Sequence, residues 1–140
     1  MGANQLLSQV TTRAHAAFAD AVSGVRPWWS AVLITASSPR QAELYSRQIE
    51  DRRRRGTLPA ATTVLVVPDP PGVRPGSGGA TLNALAQLAS SLSLPQDSSC
   101  ASALHDWWKT NRVLMIHSGG DSRRLPQFSA TGKLFGALPV

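Results

Sequence analysis

The chain is 140 residues long, 42% apolar and 16% charged, enough for one domain with a buried core and too apolar for a disordered polyelectrolyte. Lysine and arginine total 14 against 8 acidic residues, a formal charge of +6 that attracts anions without distinguishing a polyanion from a phosphorylated small molecule. One cysteine, Cys100, excludes an internal disulfide framework and a cysteine-rich zinc site, which points to a reducing, cytoplasmic setting. No apolar run reaches the ~20 residues of a membrane span. The opening MGANQLLSQV lacks the basic-then-apolar order of a secretory signal, and Leu6 stands where the myristoylation pattern needs serine or threonine. A soluble protein without membrane contact is expected.

Leu6, Val10, Ala14, Ala17, Phe18, Ala21 and Val22 recur at helical spacing, and Gly24 and Pro27 close the segment, so residues 1–27 read as an N-terminal helix with one apolar face to pack on something else. SAVLITAS (30–37) is a short β-branched run that reads as a strand. Ser38 as N-cap and Pro39 at the first helical position then open a helix to about Arg55. ATTVLVVPD (61–69) is a second strand, followed by a loop that Pro70, Pro71, Gly72 and Pro75 punctuate. Leu82, Leu85, Leu88 and Leu92 give TLNALAQLASSL (81–92) helical spacing, a polar break near 96–99 precedes a weaker helix, and RVLMIHS (112–118) is the third strand. Strands apolar on both faces and alternating with helices imply right-handed crossovers and a parallel-sheet α/β sandwich over residues 28–140.

Such a sheet takes ligands at the carboxyl ends of its strands, where loops meet the amino ends of helices. Two glycine-rich loops are expected there, GSGGAT (76–81) and SGGDSRR (118–124). In the first, Gly76, Gly78 and Gly79 let backbone N–H groups converge on an anion, and Ser77 and Thr81 add hydroxyl donors; the bland alternative is a tight turn opening a helix. In the second, Ser118, Gly119, Gly120, Asp121 and Ser122 run into Arg123 and Arg124, with Lys133 downstream. Three cations beside a glycine turn suit a polyphosphate, and a solvated basic loop is the alternative. Neither loop is a Walker A sequence: the only GK pair, Gly132 and Lys133, is followed by Leu134 and has Gln127 where the first glycine belongs. Neither completes GxGxxG, because Thr81 stands where the first loop would need its last glycine.

IHSGGDSRRLPQFSATGKLFGALP (116–139), with VVPDPPGVRPGSGGATLNAL (66–85) upstream, resembles the pyrophosphorylase region of the bifunctional fucokinase and GDP-fucose pyrophosphorylase family. The second loop also resembles the wider sugar nucleotidyltransferase pattern GGxGTRLxP. Gly119, Gly120, Arg124, Leu125 and Lys133 match it, whereas Ser122 replaces a glycine, Arg123 the threonine and Gly132 the proline before the lysine. The resemblance implies the N-terminal portion of a Rossmann-like nucleotidyltransferase domain, incomplete in this chain. It also implies attack of a sugar 1-phosphate, fucose 1-phosphate, on the α-phosphorus of GTP with pyrophosphate leaving. In that chemistry Arg123 or Arg124 stabilises the pyrophosphate, Lys133 sits near the α-phosphate or the sugar phosphate, the two glycine loops hold the nucleotide, and Mg2+ assists through unidentified ligands. The resemblance further places metal- and sugar-binding residues beyond the first nucleotide loop. The 140 residues are therefore expected to be a piece of a larger enzyme that is inactive alone. Two other readings stay open: a non-catalytic nucleotide-binding remnant, and a basic RNA-binding module.

Four features carry a second meaning each. Asp121 could ligate Mg2+ or cap its own turn. His117 could touch phosphate or be a hydrogen-bonded structural histidine, and His15 and His105 have no metal-ligand spacing with it. The run DRRRR (51–55) could bind nucleic acid, but cations at a helix end and the lack of interleaved aromatics argue for a solvated terminus, hence against a nucleic-acid partner. The pairs in PWW (27–29) and DWW (106–108) could stack on a base or serve packing.

Overall fold

The computed structural model describes residues 2–25, 28–95, 97, 99–118 and 134. Its elements are α1 (Ala3–Val22), β1 (Ala31–Ala36), α2 (Pro39–Arg54), β2 (Thr63–Pro68), α3 (Gly76–Ser91), α4 (Cys100–Thr110) and β3 (Val113–His117). The three strands form one parallel sheet in the order β2-β1-β3. The expected α/β sandwich is what the chain forms. In register, Thr35 lies beside Val67 on one neighbour and His117 on the other, and Ala36 lies beside Pro68. All three strand ends therefore finish level at one edge.

Alternation along the central strand assigns the two faces. Ala31 and Leu33 point to a core with Val67, Ala84 and Leu88, onto which Leu65, Leu85, Trp107, Val113 and Met115 pack. Ile34 and Ala36 point the other way, to Ala42, Tyr45 and Ile49 of α2, with Val32, Val64, Val66, Ile116 and Leu134 around them. Thus α3 and α4 cover one face and α2 the other, which is why β1 reads as an uninterrupted apolar run. By the same parity Thr35 and His117 face α3.

The helix ends follow their local chemistry. Ser38 Oγ accepts the Gln41 N–H at 3.2 Å, and Gln41 Oε1 accepts the Ser37 N–H at 2.8 Å, a reciprocal cap that fixes where α2 leaves β1. At its other end Arg52 donates to Gln48 O, Arg53 to Ala60 O and Thr62 O, and Arg55 pairs with Asp51 at 2.8 Å. Those arginines tie off a helix end and the following loop, in keeping with the solvated-terminus reading. Trp28 stacks edge-on against Phe18 with ring centroids 5.5 Å apart, Trp107 meets Trp108 at 5.2 Å, and Arg112 lies 5.9 Å from the Trp29 ring.

Two expectations change. The stretch 76–81 is not a loop before a helix at 81; it is the opening of α3 itself. Gly76, at φ +67°, makes the turn into the helix after Pro75. Burial of Ala80, Ala84 and Leu88 against the sheet then outweighs the poor helix propensity of the glycines. The apolar face expected of α1 covers little: Leu6, Leu7 and Val10 are 51%, 66% and 55% exposed, and Ala21 alone among the helix's described residues is buried.

Candidate functional site

The level ends of the three strands meet the amino end of α3. Between them lies a cleft of about 210 Å3, lined by Thr35, Asp69, Arg74, Gly76, Ser77, Ala80 and His117. Each element delivers its residues for a local reason. Asp69 follows Pro68 and precedes Pro70, so its backbone is confined to extended conformations, and its N–H donates to Ala36 O at 2.7 Å. Asn83 Nδ2 donates to Pro68 O at 3.4 Å and ties α3 to the same strand end. The first N–H groups of α3 have no intrahelical acceptor and no side-chain cap. That end carries the positive pole of the helix dipole and receives anions.

The glycines of α3 divide by role. A Cβ on Gly79 would lie 2.7 Å from the Pro75 Cβ, so this glycine lets the helix pass the proline ring. A Cβ on Gly78 would meet nothing within 4 Å. Gly76 is needed for its φ and Gly79 for its space, whereas the fold places no demand on Gly78.

A hydrogen-bond chain crosses the site from β3 to α3. Ser118 N–H donates to Thr35 Oγ1 at 3.3 Å, and Thr35 Oγ1 lies 3.4 Å from His117 Nδ1. On the far side His117 Nε2 lies 3.1 Å from Thr81 Oγ1, whose hydroxyl donates to Ser77 O at 2.8 Å. Because the Thr81 hydroxyl donates to Ser77 O, Thr81 Oγ1 accepts from His117 Nε2–H. The histidine is thus held between β1 and α3. Ser118 points to the opposite face, where its Oγ and Tyr45 OH are 2.6 Å apart in a buried contact.

Of the residues singled out from sequence, Gly76 and Ser77 line the cleft, Thr81 holds His117, Ser118 anchors the edge to α2, and Gly78 and Gly79 form the helix start beside it. Gly119, Gly120, Asp121, Ser122, Arg123, Arg124 and Lys133 lie outside the described residues. Thr35, Asp69 and Arg74 are brought in by the fold and were not singled out. The available signal was positional: Thr35 and Asp69 stand at the carboxyl ends of the first two strands, as His117 does on the third. Among the described residues no group of three or more His, Cys, Asp or Glu could hold a metal, and Asp69 is the one carboxylate in the cleft, beside an arginine and a helix amino end. The described residues do not by themselves fit a divalent ion.

A larger hollow of about 540 Å3 lies at the opposite edge, among Trp28, Trp29, Pro59 and Trp107, where Trp28 Nε1 is buried without a partner. Among the described residues its lining carries no charged side chain and no glycine-rich helix start. We place the functional site at the carboxyl edge for that reason. No described helix is long and apolar enough to cross a membrane.

A parallel α/β sheet with a glycine-rich helix start that lacks a side-chain cap, and an arginine, Arg74, at its carboxyl edge, has the layout found in phosphate- and nucleotide-binding domains. Comparison with known proteins narrows the class. A fucose pyrophosphorylase domain matches residues 105–140. The chain is 42% identical over 121 residues to a bifunctional fucokinase/GDP-fucose pyrophosphorylase of Arabidopsis thaliana, covering 81% of this chain and 12% of that protein. It is 40% and 39% identical to the fucose-1-phosphate guanylyltransferases of Mus musculus and Homo sapiens, in each case over 81% of this chain and 17% of the relative. Over most of its length the chain is similar to the fucose pyrophosphorylase family, as the two glycine-rich motifs implied. It spans less than a fifth of the length of each of these relatives. No solved structure matches it.

Proposed function

We propose that the chain forms the nucleotide-binding part of a sugar nucleotidyltransferase that joins fucose 1-phosphate to GTP and releases pyrophosphate. The observation that carries the proposal is the carboxyl-edge cleft, in which the amino end of α3 and Arg74 meet His117 within a chain similar to fucose-1-phosphate guanylyltransferases. A sugar-phosphate oxygen attacks the α-phosphorus, the bond to the β-phosphate oxygen breaks, and negative charge collects on the departing pyrophosphate. The first backbone N–H groups of α3, from Gly76 to Gly78, and the guanidinium of Arg74 at the cleft favour that charge. Arg123, Arg124 and Lys133 would add cations from the sequence that follows β3, as their motif suggests. Asp121, within the second glycine motif, would be the carboxylate to hold Mg2+, which would supply charge neutralisation at the phosphates when bound.

The test is calorimetric titration of the 140-residue chain with GTP, ATP and fucose 1-phosphate, repeated with Arg124→Ala. GTP binding that this substitution abolishes supports the proposal. A chain that binds no nucleotide, but binds RNA with steep salt dependence, refutes it.

A further inference from the structure

Helix α1 stands away from the rest of the domain. Every residue from 2 to 16 is exposed, and the helix meets the body near its carboxyl end, where Phe18 packs on Trp28 and Ala21 is buried. A helix of this length is marginal in water unless a face of it packs, and α1 has neither a side-chain cap nor an acidic residue in its first turn. Its exposed half is also unlike a solvated helix. Leu6, Leu7 and Val10 are each more than half exposed, and residues 2–12 include no charged side chain. Apolar side chains with charge kept out are the composition of an interface centre.

The same helix carries the complementary shape. Its carboxyl half presents Ala14, Ala17 and Ala21, and between these, Phe18, Trp28 and Trp29 lies a hollow of about 460 Å3. The charged residue in its lining, Arg112, has its guanidinium over the Trp29 ring. Ala3, Leu7, Val10, Ala14, Ala17 and Ala21 follow one another at alternating steps of four and three, so the large and the small residues share one stripe and occupy opposite ends of it. A second copy turned end over end about a two-fold axis at Thr12 sets Leu7 level with Ala17 and Val10 level with Ala14, in both directions at once. A parallel pair would set Leu7 against Leu7 and leave both hollows unfilled. An isologous pair closes at two chains.

We propose that α1 is an arm through which two copies of this chain pair antiparallel, each placing Leu6, Leu7 and Val10 in the hollow beside the other's Trp28 and Trp29. The pairing stands apart from the nucleotidyltransferase reading. The helix of 20 residues is about 30 Å long, which puts the contact at the small end of stable interfaces and the dissociation constant in the micromolar range.

The test is sedimentation equilibrium of the 140-residue chain from about 1 to 200 µM, a span that brackets micromolar affinity. The mass should rise from 14.9 kDa toward twice that value, and helix content by circular dichroism should fall on dilution over the same range. Leu7→Glu, at an exposed position, should leave the melting temperature of the dilute chain unchanged and weaken pairing at least tenfold, whereas Leu82→Glu, at an equally exposed leucine of α3, should not weaken it. In a Cys100→Ser background, Leu7→Cys with Ala17→Cys should oxidise to a cross-linked dimer, and Leu7→Cys alone should not. A chain that stays at 14.9 kDa throughout overturns the proposal. A dimer that Leu7→Glu leaves intact overturns it too, by moving the interface elsewhere, as does one that Leu82→Glu weakens equally. Cross-linking through Leu7→Cys alone would make the pair parallel and overturn the arrangement.

Discussion

Two adjacent glycines of α3 should respond in opposite directions to the same substitution. In Gly78→Ala the added methyl meets no atom within 4 Å, so the fold loses nothing and gains the difference in helix propensity. That gain is about 0.5 kcal/mol for a position in the first turn. A 140-residue chain unfolds with an entropy of about 0.3 kcal/mol/K, so the melting temperature should rise by about 2 °C. In Gly79→Ala the methyl would lie 2.7 Å from the Pro75 Cβ, a rigid ring that cannot rotate away. The start of the helix must shift, at a cost of about 1–3 kcal/mol, or a fall of roughly 3–10 °C by the same conversion. Differential scanning calorimetry reads both. If the open space at Gly78 exists to admit phosphate oxygens, Gly78→Ala should also weaken GTP binding despite the gain in stability. A stabilised Gly78→Ala with unchanged GTP affinity would refute the idea that phosphate approaches this turn. A Gly79→Ala as stable as the parent would refute the packing argument.

Tyr45→Phe removes the buried contact between the phenol and Ser118 Oγ and leaves the serine oxygen without that partner. The expected loss is about 1–3 kcal/mol in urea unfolding with an unchanged m-value. Leu88→Ala empties a side chain that is 1% exposed in the core beneath α3, and should cost about 2–5 kcal/mol. Asp97 accepts from Ser99 N–H at 2.9 Å and Ser99 Oγ at 2.5 Å, and these bonds hold its carboxyl below its ordinary 3.8. A depressed carboxyl contributes stability above the unfolded value that is lost as pH falls through the folded one. Ser99→Ala should therefore move the Asp97 resonance titration up toward 3.8, and an unmoved titration would show that the serine is not the cause.

The opening and closing of elements were legible in the residues themselves. Ser38 and Pro39 announced the start of α2, the β-branched runs announced three strands, and helices alternating with strands implied a parallel sheet. These are local properties: a cap, a period of two or 3.6, a proline that cannot continue a strand. The glycine motif 76–81 was recognised as special, but its conformation was misjudged. Glycine has the propensity of a loop, and only burial of Ala80, Ala84 and Leu88 against β1 and β2 makes it helical.

The site shows the same division. Sequence motifs drew attention to Gly76, Ser77, Thr81 and Ser118 because each belongs to a recognisable stretch. Only its place near the end of a strand marks Thr35, which stands 82 residues from His117 yet is its neighbour across the sheet. Asp69 was marked only by its place at the carboxyl end of the second strand. Sequence alone determined the alternation of elements, the basic charge and the phosphate-friendly motifs, because these follow from local chemistry. Which strand lies in the middle, and therefore which strand ends share one cleft with α3, was decided by the order β2-β1-β3. That order is a matter of long-range packing, and no window of neighbouring residues contains it.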